Sequence, residues 1–204
     1  MSRRQREHAR AWSAAVRMHA HLMTKRPLDA VVPPVPGLTP EPGEYAVGVL
    51  TRSAGMTLDY ARYSAAEVVY ATGGPSIVVG SPQFVTGYAI GSMLLRARVR
   101  RRARRMAAPQ WRPARLLCTV VTTRRLWCEL EQPHGTRWLH FDYDTITHLD
   151  LDRYTLTLTF QQSAPLQLTG AWAPWCAAVI AHYRYGQAAA MILPALHTAV
   201  TAAN

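Results

Sequence analysis

The stretch YTLTLTF, residues 154–160, alternates strictly between large side chains and threonines. Its large side chains are those of Tyr154, Leu156, Leu158 and Phe160. Successive side chains of an extended chain point to opposite faces, so this period of two predicts a β-strand with one buried and one exposed face. Strands of this kind are typical of antiparallel sheets, and the stretch therefore indicates an antiparallel β domain.

Other segments of β-like composition surround this stretch, and short turn signals such as His134-Gly135 separate them. They comprise residues 45–50, 56–63, 116–121, 126–130, 138–143, 145–149 and 166–168. We expect residues 116–130 to form a hairpin that turns at residues 123–124 and places Cys118 opposite Glu129. Cys128 would then point to the opposite face, and three cysteines cannot all pair, so free thiols and a reducing compartment are expected.

A helix is predicted after the last strand, at residues 172–185. Pro174 suits the first turn of this helix, and Gly186 suits its end. Residues 187–204 are rich in alanine, and we expect them to form a weakly specified, frayed tail.

The chain begins with a predicted basic helix within residues 1–26. Apolar residues recur there at helical spacing, and most of the arginines lie on other faces. The segment is interpreted either as a flexible helix on the domain surface or as an arm that binds a membrane surface or nucleic acid. Residues 27–43 contain six prolines, which predicts an extended, semi-rigid linker before a domain at residues 44–186.

An insertion at residues 76–110 interrupts the predicted strands, and we expect it to be helical. Side chains that recur every three or four residues form a stripe along this helix, which includes Phe84, Tyr88, Leu95 and Val99. The stripe either packs on the domain or contacts a membrane. Seven arginines fill the other faces of the second half and are candidate anion-binding residues: Arg96, Arg98, Arg100, Arg101, Arg102, Arg104 and Arg105.

Three interpretations of this insertion remain open. The helix packs along the β domain with its arginine end solvated, its first half inserts into a membrane, or its arginines bind nucleic acid without base readout. The apolar stripe continues past Arg96, where a membrane span would end. That continuity favours one amphipathic helix docked on the β domain.

The net charge of +11 is very unevenly distributed along the chain. Residues 1–31 carry +5, residues 96–115 carry +9, and the remaining residues carry −3. Such segregation favours polyanionic partners, either an anionic lipid surface or nucleic acid.

Several antiparallel strands followed by one amphipathic helix resemble bacterial pleckstrin-homology-like domains of the GRAM type, including those of actinobacterial proteins. The similarity rests on LLCTVVTTRRLWCEL at 116–130, TRWLHFDYDTITHLDLD at 136–152 and the segment YTLTLTFQQSAPLQLTGAWAPWCAAVIAH at 154–182. It also includes GSPQF at 80–84 and PQWR at 109–112. The resemblance implies an α+β fold, a pleckstrin-homology-like antiparallel barrel or sandwich closed by a C-terminal helix, and a non-enzymatic binding role. It does not imply a phosphoinositide site, because Arg52 is the only basic residue in residues 51–57.

Motifs of catalysis and cofactor binding are missing from the sequence. It contains no nucleophile elbow, no Walker-type loop and no dinucleotide fingerprint, so we expect no enzyme activity and no cofactor. The histidines do not stand at zinc-binding spacing from the cysteines. Asp142 and Asp144, expected on one strand face with Asp150 and Asp152 nearby, could suit a hard cation, but a solvated face is the favoured interpretation.

The sequence therefore predicts a non-catalytic binding or adaptor protein of the cytoplasm, peripheral to the inner face of the plasma membrane. Its expected partner is an anionic lipid surface or a protein. A nucleic-acid accessory protein that uses the arginine run is the main alternative, and a purely protein-binding module is the second.

Overall fold

The computed structural model describes residues 1–24, 35–51, 54–62, 110–132 and 134–203. The chain divides into two compact units, Met1–Tyr60 with Pro113–Asn204, and Ala61–Arg112. In the second unit, the structure describes residues 61–62, which end one strand, and residues 110–112, which begin another.

The elements follow one another in an α+β order. They are α1 (Arg3–Met23), β1 (Ala46–Thr51), β2 (Thr57–Arg62), β3 (Gln110–Ala114), β4 (Leu116–Thr122), β5 (Arg125–Gln132), β6 (Gly135–Asp142), a 3-10 turn (Tyr143–Thr145), β7 (Ile146–Asp152), β8 (Thr155–Phe160), β9 (Leu166–Thr169), α2 (Ala173–Tyr185), a second 3-10 turn (Gly186–Ala188), α3 (Ala189–Ile192) and α4 (Pro194–Ala203).

The first sheet has the strand order β1-β4-β5-β6, and every pair is antiparallel. The predicted hairpin is confirmed, because β4 and β5 turn at residues 123–124 and Cys118 pairs with Glu129. Cys118, Cys128 and Cys176 are all buried as free thiols.

The second sheet has the order β3-β2-β9-β8-β7. The strand predicted from YTLTLTF is confirmed as β8, and its apolar side chains enter the core: Leu156 and Leu158 are 0% exposed and Phe160 is 6% exposed. Tyr154 is the exception, because it lies in the turn before the strand, next to Arg153 with its φ of 50°. The threonines of β8 are half-buried on the opposite face.

Among the described residues, the two antiparallel sheets remain separate and do not close into a barrel. The α+β class is therefore confirmed, and the arrangement is compatible with a sandwich. The strands run as two meanders, β4-β5-β6 and β7-β8-β9, and the 3-10 turn at Tyr143–Thr145 joins them. Tyr143 anchors this junction, because its hydroxyl donates a hydrogen bond of 3.0 Å to the Thr122 carbonyl.

Helix α2 confirms the helix predicted at residues 172–185. Nine consecutive residues from Ala173 to Ala181 are buried, and the helix contacts β4, β7 and β8. It ends at Gly186, whose φ of 57° suits a residue without a Cβ. A helix buried on nearly every face needs a second layer of structure to cover it.

Helix α1 supplies contacts to α2 and also to α4. In α1, Ala11, Ala15, His19 and Leu22 lie at helical spacing and are buried. A capping box between Ser2 and Gln5 starts the helix. The structure therefore has α1 docked on the domain, which differs from a flexible surface helix.

The expectation of a frayed C-terminal tail is wrong. Residues after Gly186 continue as a 3-10 turn and then as α3 and α4. Ala189, Leu193 and Leu196 are at most 2% exposed. The sequence pattern was weak because alanine carries little apolar signal, yet its small side chain lets helices approach closely.

Candidate anion-binding site

The arginine run and the stripe predicted within the insertion lie outside the described residues. This applies to Arg96, Arg98, Arg100, Arg101, Arg102, Arg104 and Arg105, and to Phe84, Tyr88, Leu95 and Val99. The basic helix α1, by contrast, is described over its whole length.

Helix α1 presents a stripe of arginines to solvent. Arg3, Arg6, Arg10 and Arg17 are all exposed. Their spacing places them within about 60° of one another around the helix axis, along about 21 Å of its length. The opposite side of the helix carries the buried residues, so docking α1 holds this arginine stripe in a set orientation on the domain surface.

A groove separates α1 from β1, and we call it the α1–β1 groove. It has a volume of about 700 Å³. Its lining consists of Arg3, Arg6, Glu7, Arg10, Gly48, Val49, Leu50, Thr51, Ala54, Trp172 and Trp175. One wall is therefore basic, and the other wall and the base are mostly apolar.

Trp175 reaches the strand β1 only because residue 48 has no side chain. A Cβ built on Gly48 would overlap Cη2 of the Trp175 indole and would lie 3.1 Å from both Cζ2 and Cζ3. The ring lies directly on the strand backbone as a result. The lining of the α1–β1 groove thus depends on a glycine whose backbone conformation is otherwise ordinary.

The arginines that line the groove are available to bind an anion. Within the described residues, no carboxylate forms an ion pair with Arg3, Arg6 or Arg10. Glu7 is the one acidic residue in the described lining, against three arginines. A guanidinium can donate two parallel hydrogen bonds to a phosphate or a carboxylate, so this wall is suited to an anion.

A second charged cluster, around Arg125, is already neutralised. Arg125 forms ion pairs with Glu41, with Glu44 at 3.4 Å and with Asp142 at 3.2 Å. The Thr122 hydroxyl donates a hydrogen bond of 2.6 Å to Glu44. These contacts tie the end of the proline-rich segment to the first sheet.

The protonation states of this cluster follow from its pairing. The hydrogen bond with Glu41 raises the pKa of Arg125, and the same bond lowers the pKa of Glu41. Burial opposes ionisation of Glu44, but the Thr122 hydroxyl, the Glu41 amide and Arg125 together lower its pKa. Arg125, Glu41 and Glu44 therefore stay charged near neutral pH, and the cluster serves to hold the structure together.

The aspartates expected on one strand face are not arranged that way. Asp142 ends β6 and pairs with Arg125, whereas Asp144 lies in the 3-10 turn. The cause is the junction between the sheets, which breaks the strand at Tyr143. Within the described chain, no group of three acidic, histidine or cysteine side chains has the spacing of a metal site.

Three histidines form a cluster that the sequence did not reveal. His19 of α1 is far in the chain from His182 of α2 and His197 of α4, yet it lies against the ring of His197 and interacts electrostatically with both. The rings of His19 and His197 are 6.0 Å apart and perpendicular. His19 did fall on the apolar stripe of α1, but its partners depend on how the helices pack.

The buried thiols are poor nucleophiles. Burial raises the pKa of Cys176 to about 12, and burial also raises the pKa of Cys128. Both are therefore protonated at neutral pH, and a protonated thiol reacts slowly.

Comparisons with protein-family models, with curated proteins and with solved structures give no match for the chain. Among the described helices, none combines the length and the apolar character needed to cross a membrane.

Proposed function

We propose that this protein is a non-catalytic adaptor that binds an anionic membrane surface through a basic, helix-bearing domain. The observation that carries the proposal is the basic wall of the α1–β1 groove, where Arg3, Arg6 and Arg10 have no described ionic partner. The bound groups would be the phosphates of anionic lipids, with the protein peripheral to the inner face of the plasma membrane.

The composition of the groove supports a lipid surface over other polyanions. Val49, Leu50 and Trp172 line it beside the arginines. A lipid headgroup region offers both phosphates and apolar glycerol and acyl groups, and tryptophan is favoured at such interfaces. The phosphate backbone of a nucleic acid offers little to the apolar residues of this lining.

The expected strength of binding follows from the number of charges. Each arginine near an anionic membrane surface contributes about 1 kcal/mol, so the four residues of the arginine stripe support weak, reversible, salt-sensitive attachment. The proposal includes the seven arginines from Arg96 to Arg105 as a second basic element that strengthens this attachment. Their contribution follows from their charge and their sequence positions alone.

A pleckstrin-homology-like fold is part of the same proposal. In support of it, two strand meanders are followed by a helix that contacts strands of both sheets. In this protein the basic helix α1, rather than a loop of the first hairpin, would be the membrane-facing element.

Co-sedimentation with vesicles tests the proposal on the full chain. We expect binding to phosphatidylcholine vesicles that contain phosphatidylglycerol, weak binding to phosphatidylcholine alone, and a decline as salt increases. The variant R3Q/R6Q/R10Q should lower the partition coefficient at least about tenfold. The control variant R115Q/R137Q/R153Q removes three exposed arginines elsewhere and should bind nearly as well as the parent.

Two outcomes would contradict the proposal. Equal, negligible pelleting with both vesicle types would exclude an anionic membrane as the partner. If the chain instead shifted duplex DNA and ignored vesicles, the nucleic-acid alternative would replace it, and that binding should fall steeply with salt.

A further inference from the structure

His19 is a buried side chain that lacks a hydrogen-bond partner among the described residues. Its side chain is 0% exposed, and within the described structure neither ring nitrogen has a partner. It lies on the face of α1 that packs against α2 and α4. A buried imidazole with both nitrogens unsatisfied is a costly feature, and it suits only the neutral ring.

The groups around His19 would oppose a positive charge. The titratable side chains that interact with it electrostatically are His182 from α2 and His197 from α4. In both of these, Nδ1 is buried and has no partner in the described structure. No described carboxylate forms an ion pair with any of the three, so an added proton would meet further imidazoles instead of a counter-charge.

We propose that the cluster of His19, His182 and His197 is an acid-sensitive latch, whose protonation releases α1 from α2 and α4. Neutral imidazoles permit the helices to pack closely. His19 is fully buried, whereas His182 and His197 are half-buried. Imidazolium groups at these positions would repel each other and demand hydration, and water reaches His19 once α1 separates.

Release of α1 would dismantle the α1–β1 groove. The basic wall with Arg3, Arg6 and Arg10 belongs to the same continuous helix as His19. The facing wall belongs to β1, and Trp172 and Trp175 stay with α2 and the residue before it. This consequence for binding rests on the proposed function, whereas the release of α1 does not.

The pH window follows from the direction of the shifts. Burial, then the charges of His197 and His182, lowers the pKa of His19 below its ordinary value of 6.5, and burial lowers the pKa of His182. As the pH falls, the unfolded or released state therefore takes up protons at a higher pH than the docked state does. Docking of α1 is fully supported above about pH 6.5 and is weakened as the pH falls below it.

Hydrogen exchange of the full chain tests the latch. We expect amide protection factors in α1 to fall at least about tenfold between about pH 7.5 and about pH 5, relative to amides in β8. The variant His19→Leu keeps a similar volume and cannot be protonated, so its α1 protection should stay constant over this range. Unchanged α1 protection in the parent, or the same loss in His19→Leu, would overturn the latch.

A second variant tests the same cluster without a substitution at residue 19, so a folding defect of His19→Leu cannot affect it. H182Q/H197Q removes the two neighbouring imidazoles and leaves His19 in place, and it should reduce the acid-induced loss of α1 protection. The same loss in this variant as in the parent would overturn a cooperative cluster. Vesicle binding measured in parallel separates the two proposals: a latch that opens in a chain that never binds vesicles would refute only the proposed function.

Discussion

The indole of Trp175 rests on the backbone of Gly48, so that a Cβ at residue 48 would lie 3.1 Å from Cζ2 and Cζ3 of the ring. This contact joins helix α2 to the edge of the first sheet, since Gly48 belongs to β1 and Trp175 to α2. Gly48 and Trp175 both line the α1–β1 groove as well.

Gly48→Ala should destabilise the protein by about 1–3 kcal/mol, because the added methyl group forces the indole or the strand to move. Urea denaturation measures the change in the free energy of unfolding. Trp175→Leu removes the ring, so in the double variant the cost of Gly48→Ala should shrink. An unchanged cost in that background would show that the indole contact is unimportant.

Arg125→Leu should cost about 3–5 kcal/mol, because it leaves the buried Glu44 without its cation. The side chain of Glu44 is 0% exposed in this pair. Arg124→Leu is the matched control, since its ion pair with Glu41 is exposed and worth at most about 1 kcal/mol. Similar losses in both variants, compared by thermal unfolding, would contradict a special role for Arg125.

The Glu44 carboxylate should make stability depend on pH in the acid range. Its pKa is lowered in the folded state from an ordinary 4.5, so its contribution is present above that pH and is lost as the pH falls through the folded pKa. Glu44→Gln should flatten the profile of unfolding free energy below about pH 4.5. A variant profile parallel to that of the parent would argue against this assignment.

Leu196→Ala should destabilise the protein by about 2–5 kcal/mol, because Leu196 of α4 is fully buried. Met191→Ala is the control, since Met191 is 79% exposed and its truncation should change stability little. Chemical denaturation distinguishes the two. If Leu196→Ala were as mild as Met191→Ala, the C-terminal helices would not be part of the core.

Trp172→Ala should weaken vesicle binding by about 1 kcal/mol, or roughly fivefold, because it removes an aromatic side chain from the lining of the groove. Vesicle titration measures the effect, and circular dichroism checks that the fold is retained. Trp138→Ala tests a half-buried tryptophan outside the groove and should leave binding unchanged. Equal losses in the two variants would place the lipid contact elsewhere.

Much of the β architecture could be predicted from local patterns. The alternation at residues 154–160 and the turn at residues 123–124 depend on neighbouring residues, and β8 and the β4–β5 hairpin appear as expected. The helix α2 was equally predictable, because Pro174 and Gly186 mark its ends. The break of the strand at Tyr143 was not, because it arises where one sheet gives way to the other.

The site was only partly predictable. The arginines of α1 were recognised as a basic face, but the groove requires β1 and Trp172 to lie beside that face. No local pattern of residues 46–51 indicates that a helix from the N-terminus lies across a groove from them. Gly48 likewise gave no signal, because its importance comes from an indole 127 residues away in the chain.

By itself, the sequence determined the strands and helices whose apolar residues recur with a clear period. It also determined the uneven distribution of charge and the basic character of α1. These features depend only on composition and on near neighbours in the chain. Only the tertiary structure decided that α1 docks on α2, that the C-terminal residues join the core and that three histidines meet between helices. These features arise from long-range packing, in which small side chains such as Ala15, Ala178 and Ala189 permit close approach and leave little trace in a periodic pattern. The α1–β1 groove belongs to this second group, whereas its arginines belong to the first.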